Sequence, residues 1–337
     1  MTMLRKSSLG LAVAACLLVS GCRAAKPQYK YRIAVVPKGT SHDFWKSIHA
    51  GAVQAARQRG DTQVLWEGPA TEDQVHVQQQ IVEQFTSQGV SALILAPCDR
   101  RALVRPVRGM IEKGIPVVII DSGLELSDFI QNSDQYLGYV ATDNRQGGVE
   151  AAKRMIDLLK DKERPHVAMI RYQAGSESTE QREAGFRDTI KSMPQIDFIE
   201  AADEAGATVE SALRVAERFL SSHKELDGIF VPNESSTHGF LRALELLNRA
   251  GQVKLVGFDA NPTLLAALKE GKLHGLVLQD PFDMGYQSVL RAVDHLEGKQ
   301  PPKGVQNTNL KVVTKENMDD PEIKLLYARD LKPILGE

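Results

Sequence analysis

The stretch VKLVGFDANP runs from Val253 to Pro262. Its first part is typical of a buried strand, and that strand ends on a carboxylate, Asp259. A second stretch, PVVIID from Pro116 to Asp121, has the same form. A buried charge without a partner is costly, so each carboxylate needs a cation, hydrogen-bond donors or water beside it. The two stretches therefore raise the question of what lies opposite these acids.

Apolar runs of strand length alternate with amphipathic stretches along the chain. The runs are YRIAVVP, TQVLWEG, SALILAP, PVVIID, GYVAT, HVAMIR, IDFIEA, LDGIFVP, VKLVGFD and LHGLVLQ. Helical patterns lie between them, as in Asp43 to Arg59, Asp73 to Ser87 and Thr208 to Ser222. Continuous apolar runs separated by helices predict parallel sheets that are covered on both faces. These strands are too many for one small doubly wound sheet, so we predict two sheets, the second half beginning near Asp143.

The two carboxylates mark a predicted ligand site. In open parallel sheets, ligands bind beyond the carboxyl ends of the strands. Asp121 and Asp259 both lie at such an edge, on different sheets, and two facing edges would form a cleft. Helix capping is the alternative for either acid, and Asn261 competes with Asp259 for that position. The two acids together favour the cleft.

The segment SHDFWKSIHAGA, after the first strand, adds three candidates. Phe44 and Trp45 begin a helix and could both belong to the core. Adjacent rings on a helix point in different directions, so we expect at least one to be open to the cleft, where an aromatic face suits the C–H side of a sugar ring. His42 precedes them and can donate or accept a hydrogen bond.

Three further polar side chains follow strands in the second half. Arg182 lies in GSESTEQREAGF, and its planar guanidinium could bridge two hydroxyls or hold a carboxylate. Asn233, in VPNESS, precedes a helix and could be its N-cap, a ligand group or both. Gln279, in LVLQDPFDMG, has the same setting.

The N-terminus has the pattern of a lipoprotein signal peptide. Basic residues precede an apolar run from Leu9 to Val19, which is too short to span a bilayer, and VSGC follows. The ending resembles a lipobox, so Cys22 is predicted to be lipidated; a plain secretory peptide is the alternative. Removal of the signal leaves Cys98 as the one unmodified cysteine, predicted to be a small buried residue without a disulfide.

Composition and missing motifs exclude several function classes. Loss of residues 1 to 21 removes two cations and leaves a net charge of about −4, which does not favour nucleic-acid binding. Walker-type phosphate loops, GxSxG, HExxH and CxxC are missing from the sequence, as is GxGxxG after the first strand. We therefore expect no enzyme activity, no cofactor and no metal site.

The order of the motifs FW, IID, QREAGF, VPNE, VGFDANP and LVLQDPFDMG resembles the ribose-binding protein type of periplasmic sugar-binding protein, from about Tyr31 to Val313. The resemblance implies an α/β fold of the type I periplasmic binding protein class. In that fold two Rossmann-like lobes with parallel sheets are joined by a three-segment hinge, and a sugar is enclosed between them. The matching ligand contacts are Phe44, Trp45, Asp121, Arg182, Asn233, Asp259 and Gln279.

Three positions depart from the ribose type. His42 replaces an asparagine, Ser122 replaces an arginine, and Lys38 replaces a serine at the end of the first strand. A lysine there also occurs in related arabinose-binding proteins, which this segment resembles locally. We therefore add Lys38 and His42 to the predicted site and expect a pentose or hexose other than ribose. Lys38 and Arg182 would offset the acids, with Arg182 shared across the cleft.

The resemblance also divides the chain and suggests its partners. The predicted parts are a signal peptide (1–21), a tether (22–30), an N-terminal lobe (31–142 and 280–307), a C-terminal lobe (143–279 and 308–313) and an extension (314–337). In the extension, EIKLLYARDL has helical spacing and is predicted to pack on a lobe. We expect a monomer, lipid-anchored on the extracytoplasmic side of a bacterial membrane, that delivers a monosaccharide to an ABC-type permease. A chemoreceptor or histidine-kinase ectodomain is the alternative partner.

Overall fold

A computed structural model of the chain describes residues 29 to 336. The predicted signal peptide and Cys22 lie outside the described residues. The strands of the first sheet are β1 (Tyr31–Val36), β2 (Thr62–Trp66), β3 (Ala92–Leu95), β4 (Val117–Ile120), β5 (Tyr136–Ala141) and β11 (Val305–Asn307). The strands of the second sheet are β6 (His166–Arg171), β7 (Asp197–Glu204), β8 (Gly228–Phe230), β9 (Lys254–Phe258), β10 (Gly275–Gln279) and β12 (Leu310–Val313).

Helices connect the strands and cover both faces of each sheet. They are α1 (Asp43–Arg59), α2 (Val75–Gln88), α3 (Val104–Glu112), α4 (Asp128–Gln131), α5 (Asn144–Leu159), α6 (Glu177–Lys191), α7 (Val209–Ser222), α8 (Glu234–Leu246), α9 (Pro262–Glu270), α10 (Pro281–Leu296), α11 (Pro321–Tyr327) and α12 (Lys332–Leu335). Strands such as β3 and β4 are buried along their whole length. This burial explains why their sequences are continuously apolar.

The two sheets repeat one topology. The strand orders are β11-β5-β4-β3-β1-β2 and β12-β10-β9-β8-β6-β7. In each sheet the order of successive strands reverses next to the first strand, β1 or β6. All pairings are parallel except that of β10 with β12. The predicted two-lobed α/β fold is confirmed. Strands β11 and β12 were not among the predicted strands; both are short, and Val313 is the one buried residue in them.

The chain passes between the two sheets three times: after β5, after β10 and between β11 and β12. Helix α10 follows the second passage and packs on α1, so residues 281–296 lie with the first sheet. Such passages are the places where a hinge motion would be absorbed. None of the helices within residues 29 to 336 is long and apolar enough to cross a membrane.

Close helix packing holds the start of α6 against α5. A Cβ on Gly148 would lie 1.9 Å from the carbonyl oxygen of Arg182, and one on Gly185 would lie 2.1 Å from that of Arg145. Only glycine permits this approach, because any larger residue would force the two helices apart. The contact fixes the position of Arg182 on the second lobe.

Candidate functional site

All nine predicted ligand residues lie around one cavity between the carboxyl edges of the two sheets. They are Lys38, His42, Phe44, Trp45, Asp121, Arg182, Asn233, Asp259 and Gln279. The cavity volume is about 20 Å³, which is enough for one water molecule. The cleft is therefore closed in this structure, and a sugar could enter only if the lobes separated.

Asp121 and Asp259 occupy equivalent positions in the two lobes. Each follows the strand that lies third in its sheet order, β4 or β9, and each donates its backbone N–H to the neighbouring strand, at 3.1 Å to Val140 and 2.9 Å to Val277. Their φ angles are +58° and +62°, a left-handed conformation that aspartate adopts more readily than most residues. Strained backbone that recurs at equivalent positions in a cleft is a mark of a functional site.

Each of these acids has its own cation. Lys38 Nζ lies 3.0 Å from Asp121 Oδ2, and Arg182 Nη1 lies 3.9 Å from Asp259 Oδ2. The prediction that Arg182 is shared across the cleft is wrong, because Asp121 is already paired with Lys38 within the first lobe. Both partners of each ion pair belong to the same lobe, so neither pair depends on closure of the cleft.

The Arg182 guanidinium is held rigidly by its own lobe. Its Nε donates to Asn144 Oδ1 at 2.9 Å, and its Nη1 donates to the Pro232 carbonyl at 3.0 Å. The guanidinium carbon lies 3.8 Å from the centre of the Phe258 ring, a cation–π contact. A planar donor fixed in this way is ready to bind an acceptor in the cleft without further ordering.

The rings of Phe44 and Trp45 contact each other edge to face, with centroids 4.9 Å apart. Both are buried and both line the cavity, in keeping with the expectation that at least one of them lies at the cleft. The α1 helix has only just begun at these residues, and Trp45 turns to donate its indole N–H to Glu72 Oε1 at 2.9 Å. The two rings therefore belong to the core of the first lobe and also form part of the cavity wall.

Glu72 was not predicted, and it is the most heavily hydrogen-bonded acid of the cavity. Besides the indole of Trp45, His42 Nδ1 lies 3.2 Å from Oε1, and the Tyr172 hydroxyl donates to Oε2 at 3.0 Å. Burial opposes the charged form of His42, but the hydrogen bond and charge of Glu72 outweigh it and raise the pKa of His42 to about 9. Burial likewise opposes the charge of Glu72, yet the His42 contacts lower the pKa of Glu72 to about 2. The pair is ionised at neutral pH.

Two asparagines cap the helices that start at the cavity. Asn233 Oδ1 accepts from Ser236 N at 3.2 Å, so its oxygen is used as the N-cap of α8 and its NH₂ group, 3.2 Å from Ser235 Oγ, remains as a donor. Asn261 caps α9 by accepting from Leu264 N at 2.9 Å. The alternative interpretation of Asp259 as a helix cap is therefore wrong.

A second unpredicted acid, Glu234, faces the first lobe from the start of α8. Its Oε2 lies 3.5 Å from the backbone nitrogen of Phe44 at the start of α1, and its Oε1 accepts from Asn261 at 3.1 Å. Burial raises the pKa of Glu234 to about 7. Neither acid follows an apolar run directly: Glu72 lies in the polar loop EGPATED, and Glu234 resembles an ordinary first-turn acid. The one available signal was that both segments follow strands of the predicted sheets.

The first turn of α6 makes most of the polar contacts across the closed cleft. Lys38 Nζ donates to Ser178 Oγ at 2.9 Å, Glu177 Oε2 accepts from Gly123 N at 2.8 Å, and Arg100 Nη1 lies 2.6 Å from Glu180 Oε2. The Tyr172 to Glu72 bond adds a fourth contact. These groups satisfy one another in the closed form, and several could instead pair with hydroxyls of a ligand.

Comparison with known proteins places the chain in a family. Residues 33–300 match the model of the periplasmic binding protein domain. The D-ribose/D-allose-binding protein of Pseudomonas aeruginosa is 29% identical over 304 residues, which cover 88% of this chain and 93% of that protein.

Two solved structures are similar over nearly their whole length. An ABC transporter solute binding protein from Agrobacterium vitis with bound D-fucose is 34% identical, with a TM-score of 0.82 over 88% of this chain and 99% of that one. The periplasmic component of an ABC-type sugar transport system from Hahella chejuensis is 33% identical, with a TM-score of 0.78 over 84% and 99%. The predicted resemblance to sugar-binding proteins of the ribose type is confirmed. The chain therefore belongs to the periplasmic binding protein family.

Proposed function

We propose that this protein is an extracytoplasmic receptor that encloses a pentose or hexose between its lobes and delivers it to an ABC-type permease. The observation that carries the proposal is the equivalent placement of Asp121 and Asp259 at the two sheet edges, each beside its own cation. Two similar proteins support the sugar class, since one is a D-ribose/D-allose-binding protein and the structure of the other contains D-fucose.

The charges around the cavity favour a neutral ligand. Three cations, Lys38, His42 and Arg182, lie close to three acids, Asp121, Glu72 and Asp259. The remaining acid, Glu234, has a pKa of about 7 and is partly protonated near neutral pH. An anionic or cationic ligand would upset this balance, whereas hydroxyl groups can donate to the carboxylates and accept from the cations.

Ligand binding would proceed by hinge motion about the three passages between the lobes. Opening breaks the direct contacts of Lys38 with Ser178 and of Glu72 with Tyr172. A sugar that enters would then take over these partners and shift the population toward a closed form, because it binds both lobes only in that form. The permease would recognise the closed form.

A screen of ligands by thermal shift tests this function. We expect D-allose, D-fucose, D-arabinose, D-galactose or a related neutral sugar to raise the melting temperature by several degrees, since a ligand at 100 times its Kd adds about 2.7 kcal/mol. Amino acids, sugar phosphates and nucleosides should have no effect. Stabilisation by an amino acid or anion alone would refute the sugar assignment.

The transport role needs a separate control. A deletion strain should lose uptake of the stabilising sugar and regain it with the wild-type gene. Normal uptake combined with loss of a sugar-dependent signalling response would instead assign the protein to a sensor ectodomain.

The lipid anchor is proposed from the sequence LVSGC alone. We expect Cys22→Ser to move the protein from the membrane fraction to the soluble extracytoplasmic fraction, because stable attachment requires more than one acyl chain at about 0.8 kcal/mol per buried methylene. Fractionation followed by immunoblotting measures the change. The variant should keep the sugar affinity of the wild type, and its retention in the membrane would disprove acylation at this residue.

A further inference from the structure

A second cavity lies directly beside the sugar site. Its volume is about 410 Å³, against about 20 Å³ for the cavity that the nine predicted residues surround. The two cavities share Phe44, Asp259 and Gln279 in their walls, so they are neighbouring chambers of one cleft. The volume of the second chamber, here called the side chamber, is in the range of pockets that bind small molecules.

The C-terminal segment, here residues 321–336, forms one wall of the side chamber. Ile323 anchors α11 in the core of the second lobe, and the chain then continues past the cleft. The guanidinium of Arg329 lies 3.7 Å from the centre of the Phe282 ring, and the Pro333 carbonyl accepts from Arg57 on α1 at 3.0 Å. The segment therefore reaches from the second lobe to a helix of the first, and residues 326–332 include wall residues on the way.

Gln279, at the junction of the two cavities, carries an unused hydrogen-bond acceptor. Its Nε2 donates to Asp259 Oδ1 at 2.7 Å, and this bond orients the amide. Its Oε1 is buried and has no hydrogen-bond partner among residues 29 to 336. A buried acceptor without a partner is rare in native proteins and points to a donor group supplied by a ligand.

The lining of the side chamber matches a ring that has an apolar face and a polar rim. Leu265, Leu331 and Tyr327 contribute apolar surface, and the charged residues Arg329, Asp330 and Lys332 of the C-terminal segment also line the chamber. Aromatic and aliphatic side chains contact the C–H faces of sugar rings and the faces of aryl groups, while charged side chains can bind hydroxyls.

We propose that the side chamber is a second subsite, and that the protein binds glycosides in which a sugar at the aspartate pair carries a ring-shaped substituent. The inference rests on the proposed sugar-binding function. The substituent would lie against Leu265 and Leu331, and a hydroxyl near the linkage would donate to Gln279 Oε1. The C-terminal segment thereby determines specificity.

Isothermal titration of the full-length protein tests the subsite. The probes are D-allose, D-fucose and D-galactose, their 4-nitrophenyl glycosides, and disaccharides with the same sugars at the non-reducing end. We expect at least one glycoside to bind tenfold or more tightly than its parent sugar. The nitrophenyl and disaccharide arms distinguish an aryl group from a second sugar ring.

Two variants fill the side chamber from two different elements, Leu331→Trp from the C-terminal segment and Leu265→Trp from α9. Both should abolish the advantage of the glycoside and change the affinity for the parent sugar less than twofold. Leu325→Trp is the matched control, because Leu325 is 63% exposed and lies outside the chamber wall. It should change neither affinity.

The outcomes separate this inference from the function on which it rests. If parent sugars bind but no glycoside binds more tightly, or if the advantage survives both filling variants, the subsite is refuted and the receptor function stands. If neither sugars nor glycosides bind, both are refuted.

Discussion

Asp259→Asn is expected to lower the affinity for the bound sugar tenfold or more while the ligand-free protein is at least as stable as the wild type. A hydrogen bond to a charged group contributes about 1.5 to 3 kcal/mol, against about 1 kcal/mol for a neutral one, and 1.4 kcal/mol corresponds to a factor of ten in Kd. Asparagine keeps the shape of the side chain and tolerates the φ of +62° found here.

The pKa of Asp259 explains why stability should not suffer. Burial raises this pKa to about 6, although Arg182 and the hydrogen bond from Gln279 oppose the rise. A raised carboxyl pKa stabilises the folded state below the unfolded value of 3.8, and that contribution is lost as the pH rises through 6. At pH 7 the ionised side chain therefore costs stability, on the order of 3 kcal/mol. Retention of a destabilising charge is what a binding function would require.

Asn261→Ala is the matched control for this variant. Asn261 is the true cap of α9, and loss of a cap costs about 0.5 to 2 kcal/mol. The control should melt earlier than the wild type, and although it also removes the donor to Glu234 at 3.1 Å, it should lower the affinity for the sugar much less than Asp259→Asn does. Calorimetric titration and thermal melting of both proteins decide the matter, and unchanged affinity in Asp259→Asn would exclude Asp259 as a ligand contact.

The fold followed from sequence wherever burial is strong on both faces of a strand. Runs such as SALILAP and PVVIID can only be interior strands, and α1 begins and ends at the predicted residues, Asp43 and Arg59. Strands β11 and β12 could not be found in this way, because they are short edge strands that owe their conformation to one neighbour each. The periodicity of EIKLLYARDL predicted the packing of α11 but not its end at Tyr327.

The site was predictable to the extent that a strand end determines where a side chain lies. All nine predicted residues surround one cavity, although their contact with a ligand remains a prediction. The predicted lobe division placed Arg182 with Asp259, but the sequence could not show that Lys38 alone pairs with Asp121, because that depends on distances between side-chain atoms. Glu72 was missed because its loop looks solvated in sequence; only the fold brings His42, Trp45 and Tyr172 around it.

Glu72→Gln is expected to destabilise the protein by about 3 kcal/mol near pH 6, the loss typical of breaking a buried ion pair. Glutamine can keep the hydrogen bonds, since its oxygen can accept from Trp45 and its NH₂ can donate to Tyr172. What is lost is the charge that holds His42 in its protonated form. His42 would then become neutral, because burial disfavours its cation.

The pH dependence of this loss identifies its cause. The lowered pKa of Glu72 contributes stability above 4.5 that is lost as the pH falls through about 2, and the raised pKa of His42 contributes stability below 6.5 that is lost as the pH rises through about 9. Both shifts describe one interaction, so its energy is counted once. The difference between wild type and variant should be largest between pH 4.5 and 6.5 and should shrink toward pH 9.

Urea unfolding at several pH values, followed by tryptophan fluorescence, measures this difference, since Trp45 contacts Glu72 directly. Tyr172→Phe is the matched control: it removes only the neutral donor on the other oxygen and should cost about 1 kcal/mol at every pH. If Glu72→Gln behaves in the same pH-independent way, His42 is neutral in the wild type and Glu72 acts only as a hydrogen-bond acceptor. A loss that fades between pH 6.5 and 9 instead identifies the pair as ionic, and it would mean that the first lobe keeps a cation in the cavity for a ligand hydroxyl.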